Sequence, residues 1–187
     1  MKLLIDWPNS PTLTVAILIA LLVAIGVRPT FNETEAQMQA AGGYGIVDYE
    51  LAYTSEKAGT ILNAWGESGR TAARDSLIID FPFMSAYAVL IGGLTLVFAR
   101  RVSGRMQTIG LILALGQLGA AVFDGIENMM LLLILNTPPD AIAVGPPLIA
   151  GVSASIKFGL IVAGLVYWLI AGVILLIGRF KKKELNA

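Results

Sequence analysis

Four long apolar stretches constrain this chain more than any other feature of its sequence. They cover residues 11–27, 77–99, 108–135 and 148–178. The hydrocarbon core of a bilayer is about 30 Å thick, and a helix needs about 20 apolar residues to cross it. Because unpaired backbone groups are costly in lipid, each stretch is expected to be helical. The sequence therefore predicts an all-α fold, a four-helix transmembrane bundle that forms one membrane domain over residues 1–187.

Composition supports this class and excludes several chemistries. Charged residues make up only 14% of the chain, whereas soluble domains carry about 25%. With no Cys and no His, the chain has no disulfides, no thiol or imidazole catalysis, and no haem or zinc site with such ligands. No nucleotide-binding, metalloprotease or serine-hydrolase motif is present. We therefore predict no cofactor. The sequence leaves the question of an enzyme open and favours a non-catalytic role.

The first stretch is interpreted as a retained anchor rather than a signal peptide. Its positive region is weak, because Lys2 is balanced by Asp6. No small-residue cleavage motif of the A-x-A type follows the apolar run. We therefore count this stretch as the first of the four spans.

Basic residues are distributed unevenly between the two ends of the predicted spans. The N-terminus, the loop between the second and third spans and the C-terminus together hold eight basic and two acidic residues. The opposite side holds four basic and eight acidic residues. Since positive residues are retained in the cytoplasm, both termini are predicted to be cytoplasmic and residues 30–76 external. The formal net charge of zero gives no reason to expect a nucleic-acid partner.

The external segment is predicted to be partly helical. Thr54 is a plausible N-cap, and an apolar stripe at helical spacing follows it until Gly66 ends the helix. We leave open whether the segment is a connector that shields helix ends or a functional lid over the bundle. Its aromatic residues are expected to form an interfacial belt. The stripe comprises Ala58, Ile61, Leu62 and Trp65, and the belt comprises Tyr44, Tyr49, Tyr53 and Trp65.

Ionisable residues inside the spans carry most of the functional information. There are four of them, Asp80, Asp124, Glu127 and Lys157, and such groups usually face protein or a water-filled cavity. A helical rise of about 1.5 Å per residue places Asp124, Glu127, Lys157 and Tyr87 in one layer of the external half. The sequence therefore predicts that separate helices bring these groups together.

Helical spacing also places polar residues on shared faces. On the third span, Gln117 shares a stripe with Asp124, Glu127 and Asn128. The candidate ligand-binding residues are Asp80, Tyr87, Gln117, Asp124, Glu127, Asn128 and Lys157. Because like charges three residues apart are costly in low dielectric, we expect Lys157 to pair with one of Asp124 and Glu127. The other is then protonated, or a bound cation compensates it.

Several functions are compatible with this polar layer. The leading hypothesis is an outward-facing intramembrane pocket that binds or transports a small, lipidic or cationic ligand, with membrane lipids as partners. The alternatives are an accessory subunit of a larger membrane complex, with other membrane subunits as partners, and an intramembrane lipid-modifying enzyme that uses carboxylate acid/base chemistry. The layer could also be structural glue between helices. A carboxylate metal site is disfavoured, because Lys157 competes with a cation for the same oxygens.

Four sequence blocks resemble a family of uncharacterised bacterial four-span membrane proteins. They read DYELAYTSEKAGTILNAWG, SLIIDFPFMSAYA, FDGIENMMLLLIL and SIKFGLIVAGLVY. The Asp-x-x-Glu-Asn block of the third span is the most specific part, and the resemblance covers about residues 46–170. It implies a multi-pass protein of the bacterial cytoplasmic (inner) membrane and supplies no mechanism. The features it implies as shared are Trp65, Asp80, Tyr87, Asp124, Glu127, Asn128 and Lys157.

Overall fold

Six helices account for nearly all of the chain in a computed structural model, which describes residues 2–184. Four are long, and two short ones flank the first of these. In chain order they are α1 (Lys2–Asp6), α2 (Ser10–Gly42), α3 (Ile46–Glu50), α4 (Ser55–Ala99), α5 (Gly104–Leu135) and α6 (Gly145–Glu184). No strand occurs within the described residues. The predicted all-α four-helix bundle is therefore confirmed.

The four long helices present apolar side chains to their surroundings. Each is long and apolar enough to cross a membrane. Leu22 is 69% exposed, Val122 63% and Leu169 72%, and such continuous apolar surface is unfavourable in water. In a bilayer the same apolar side chains contact acyl chains, and their exposure is then favourable. The chain is therefore a multi-pass integral membrane protein.

The helix α2 continues beyond its predicted span. It passes through Pro29 and ends only at Gly42, where Gly43 adopts a left-handed conformation. Proline removes one backbone hydrogen bond inside a helix, but the later turns of α2 are held by packing, since Thr34 and Met38 are buried. The helix therefore continues well past residue 27, where the first span was predicted to end.

Each long helix packs against the next one in the chain, but α2 and α6 do not close the bundle. Helix α4 lies in the centre, with extensive contacts to α2 and to α5, while α5 packs along α6. Contacts between α4 and α6 are fewer, and α2 and α6 hardly touch. Helices α4, α5 and α6 therefore pack against one another, while α2 packs mainly on α4 and stands apart from α6.

The external segment folds over one end of the bundle. Thr54 caps α4 by accepting a hydrogen bond from the Lys57 N–H at 3.2 Å, as predicted. The apolar stripe that follows is fully buried, and it packs against the C-terminal end of α5, including Leu131 and Ile134. At Gly66 the helix kinks, with φ 57° and ψ −154°. Residues 46–65 therefore cap the bundle instead of lying flat on the membrane surface.

The prediction of an interfacial aromatic belt is wrong for two of its members. Tyr49 and Trp65 are each only 1% exposed, and their rings meet edge to face at 5.1 Å. The Trp65 indole N–H donates to the Tyr44 carbonyl at 2.8 Å. These aromatics are the core of the cap, because the folded segment offers them protein surface and a buried acceptor in place of the headgroup region.

The kink at Gly66 gives a test of this cap. Its backbone lies in a region that only glycine adopts readily, while an added Cβ would meet no atom within 4 Å. We expect Gly66→Ala to lower the free energy of unfolding by about 1–3 kcal/mol through backbone strain. The matched control is Gly26→Ala, a helical position in open space, which should be neutral or stabilising. Thermal unfolding in detergent compares the two, and equal effects would contradict the assigned kink.

Candidate functional site

Lys157 lies at the centre of a buried ionic cluster. Its Nζ is 3.1 Å from Asp124 Oδ1 and 2.8 Å from Glu127 Oε2. All three residues are buried, with exposures of 5%, 1% and 0%. The two acids belong to α5 and the lysine to α6, so oppositely charged groups of separate helices do meet inside the bundle. The expectation that Lys157 pairs with only one acid is wrong, because an ammonium has three donors and reaches both.

A third acid reaches the same ammonium from outside the spans. Glu50, the last residue of α3, has Oε2 at 3.6 Å from Lys157 Nζ, and the residue is only 9% exposed. The sequence analysis counted Glu50 only among the eight acids of the side predicted to be external and did not expect it in the ionic cluster. The spacing of Ile46, Tyr49 and Glu50 was the available signal, because it places the carboxylate on the buried face of a short helix.

Burial has a clear electrostatic effect on Glu50. It raises the pKa of the Glu50 carboxyl above the ordinary value, and the neighbouring Lys157 ammonium opposes that rise only in part. The Asp124 carboxylate adds to the rise. Glu50 therefore joins the cap to the ionic cluster through a group that holds its proton more tightly than a surface glutamate does.

The remaining predicted residues fall into two groups. Asn128 on α5 donates to Asp80 Oδ2 on α4 at 2.7 Å, which links a second pair of helices beside the cluster. Gln117 lies about two turns before Asp124 in α5. Its side chain donates to the Leu160 carbonyl of α6 at 2.8 Å. Gln117 therefore joins two helices at a distance from the cluster, and it does not line the cavity described next.

A cavity of about 440 Å³ adjoins the ionic cluster. Its charged lining consists of four acids, Glu35, Glu50, Asp80 and Asp124, and the single base Lys157. Its apolar lining includes Phe31, Phe83, Ile91, Phe158 and Ile161. Glu127 lies behind this wall and contacts Lys157. The wall of the cavity is therefore largely apolar, and most of its charged groups are acids.

Two cavity residues have a buried polar atom without a hydrogen-bond partner among the described residues, Tyr87 with its hydroxyl and Glu50 with Oε2. Tyr87 is 6% exposed, and its hydroxyl lies beside the Asp124 carboxyl without forming a hydrogen bond of standard geometry. A buried hydroxyl without a partner costs about 1–3 kcal/mol. Such a group is expected where an occupant of the cavity supplies the missing partner.

The cap is fastened directly above the cavity. The Tyr49 hydroxyl donates to the Leu131 carbonyl of α5 at 2.9 Å. The Tyr53 hydroxyl forms a short hydrogen bond with the Ser155 hydroxyl of α6, and the Tyr53 ring lies against Gly151. The small residues of α6 therefore accept an aromatic ring of the cap.

The acids do not form a metal centre. Among residues 2–184, no three acidic side chains are placed to share one metal ion. Lys157 Nζ occupies the position between Asp124 and Glu127 that a cation would take. The arrangement can bind positive charge in the cavity itself, where Asp80, Asp124 and Glu50 face the open volume.

Comparison with protein-family models, with curated proteins and with solved structures finds no match for this chain. The fold and the site therefore define the protein as a four-span membrane bundle that has a capped, acidic intramembrane cavity. The resemblance to bacterial four-span proteins stays a prediction.

Removing the central ammonium tests the cluster. Lys157→Met leaves Glu50, Asp124 and Glu127 close together without a counter-charge, and we expect a loss of about 3–5 kcal/mol in unfolding free energy. The matched control is Lys57→Met, an exposed lysine whose Nζ lies 4.6 Å from the Tyr44 ring centroid, worth at most about 1 kcal/mol. Chemical unfolding in mixed micelles measures both. Equal losses would show that Lys157 does not hold the cluster together.

Glu50 makes stability depend on pH. A raised pKa means that the folded protein binds this proton more tightly than the unfolded chain does. The resulting stabilisation is present below the ordinary glutamate pKa of about 4.3 and is lost as the pH rises through the pKa of Glu50 in the folded protein. Glu50→Gln should flatten the fall in unfolding midpoint over that interval. The exposed Glu56→Gln control should leave the slope unchanged. Identical slopes for wild type and Glu50→Gln would contradict the assignment.

Proposed function

We propose that the protein binds a small amphipathic organic cation in the capped cavity between its membrane spans. The observation that carries the proposal is the lining of the cavity, which has four carboxyl groups, one ammonium and aromatic walls. Charge inside low dielectric must be compensated. A cationic ligand compensates the excess acid, while its apolar part contacts the phenylalanine side chains.

The aromatic wall suits such a ligand. Phe31 of α2 and Phe83 of α4 meet edge to face at 5.2 Å, and Phe83 meets Tyr87 at 5.7 Å. Ring faces attract cations that have lost water, with a gain of about 0.5–2 kcal/mol per contact. The row of rings leads from the edge of the cavity to Asp124 and Lys157, so a cation would be stabilised along the whole path.

A purely structural role explains less of the site. Interhelical hydrogen bonds that serve as glue satisfy their polar groups within the protein. Here the Tyr87 hydroxyl has no partner within the described part of the chain, and acids outnumber bases around the open volume. Both features support a ligand that brings hydrogen-bond donors and positive charge.

The cellular setting belongs to the same proposal. The excess of basic residues at the N-terminus, in the loop between α4 and α5 and at the C-terminus supports cytoplasmic termini. The cap over the cavity then lies on the external side. A bacterial cytoplasmic membrane, as the resemblance implies, would allow the ligand to arrive from outside the cell or from the bilayer.

Binding of a matched pair of probe ions tests the proposal. Tetraphenylphosphonium and tetraphenylborate have similar size and shape and opposite charge. We expect purified protein to bind tetraphenylphosphonium saturably and not to bind tetraphenylborate, as measured by equilibrium dialysis. Asp124→Asn should weaken it about tenfold, which equals about 1.4 kcal/mol, because a cavity carboxylate is lost.

The control variant is Asp75→Asn, which removes an exposed acid of α4 outside the cavity lining. It should bind the cation as wild type does. Thermal unfolding establishes that both variants are folded. Equal binding of the two probe ions, or an equal effect of the two variants, would overturn the proposed cation site.

A further inference from the structure

A second groove continues from the cavity along α2. It is lined by Leu21, Ala24, Ile25, Arg28, Phe31, Asn32 and Phe83. Phe31, Asn32 and Phe83 also line the cavity. The two spaces therefore share a wall, and a single elongated molecule can occupy both.

The groove faces the side of the bundle on which lipid is expected. Helices α2 and α6 hardly touch, although both contribute to the cavity wall. Along the groove, Leu21 is 39% exposed and Ile25 59%. Because exposed apolar side chains of a membrane helix contact acyl chains, the groove beside the cavity is accessible from the bilayer.

Polarity is ordered along this continuous space. The carboxyl groups of Asp80 and Asp124 and the free Tyr87 hydroxyl lie in the cavity. Arg28 follows one turn from Asn32 in the groove, and apolar residues continue to Leu21, about 10 Å further at the helical rise per residue. Acceptors, a guanidinium and an apolar surface thus line one continuous space.

We infer that the occupant is a zwitterionic lipid whose headgroup carries a primary amine next to a phosphate. This inference rests on the proposed cation site and names its ligand class. The ammonium donates to the cavity carboxylates and to the Tyr87 oxygen, which are all acceptors. The phosphate pairs with Arg28, since guanidinium groups bind phosphate through paired N–H donors. The acyl chains lie along Ile25 and Leu21.

An amine that carries N–H groups fits the cavity better than a cation without donors. A quaternary ammonium has the same charge but no N–H group. It therefore donates no hydrogen bond to the buried Tyr87 oxygen. An anionic headgroup has the phosphate without the amine and meets an excess of carboxyl groups in the cavity. The site therefore distinguishes three lipids that share the same acyl chains.

Native mass spectrometry of the full-length protein in mild detergent tests the inference. Dioleoyl phosphatidylethanolamine, phosphatidylcholine and phosphatidylglycerol are added in equal amounts. We expect a one-to-one complex with phosphatidylethanolamine to exceed each of the others. Arg28→Gln should reduce this complex about tenfold, equivalent to about 1.4 kcal/mol. The control Arg101→Gln, an exposed arginine far along the chain from the groove, should not reduce it.

Tetraphenylphosphonium binding separates this inference from the proposed function. Arg28 does not line the cavity, so Arg28→Gln should bind the probe cation as wild type does, which also shows that the variant is folded. Equal retention of phosphatidylcholine, or preferential retention of phosphatidylglycerol, overturns the aminolipid inference alone when the probe cation still binds. Failure of wild type to bind the probe cation overturns the proposed cation site itself.

Discussion

The structure depends on one buried ammonium. Lys157 Nζ lies within 3.1 Å of acids on α5 and within 3.6 Å of Glu50 on α3. Removing ions from water costs several kcal/mol each, and only close opposite charge and hydrogen bonds return that cost. The lysine therefore ties α6 to α5 and to the cap at the same point. The acids around the cavity outnumber this ammonium, and the proposed cation binding rests on that excess.

The cap covers the cavity that holds the excess acidic groups. Residues 46–65 bury the Tyr49 and Trp65 rings against the end of α5, and they carry Glu50 to the cluster. Hydrogen bonds from Tyr49 and Tyr53 fasten them to α5 and α6. A groove between α2 and Phe83 of α4 adjoins the cavity and is bordered by Arg28, Phe31 and exposed apolar residues. A site covered from the aqueous side and open to lipid favours an amphipathic ligand over a freely soluble one.

Much of the polar layer could be predicted from the sequence. Depth and helical phase placed Asp124, Glu127 and Lys157 at one level, and the structure joins them. Helical phase alone also placed Gln117 on the same stripe, but two turns separate it from Asp124, and it bonds instead to the Leu160 carbonyl. Helical spacing places Glu50 on one face with Ile46 and Tyr49, but it does not specify which surface that face contacts. Tyr53 was expected in an interfacial belt, and its bond to Ser155 could not be predicted. Both residues lie in a segment between spans, whose position depends on the surface against which it packs.

The sequence by itself determined the solvent of this protein, the number of its spans and the level of its buried charges. These properties follow from local quantities, namely apolar length, the helical rise and the cost of charge in lipid. Only the tertiary structure decided that three acids share one lysine, that the Tyr87 hydroxyl has no hydrogen-bond partner among the described residues, and that α2 stands apart from α6. Those features arise from contacts between residues far apart in the chain, where the docking of the cap and the crossing of helices set the distances.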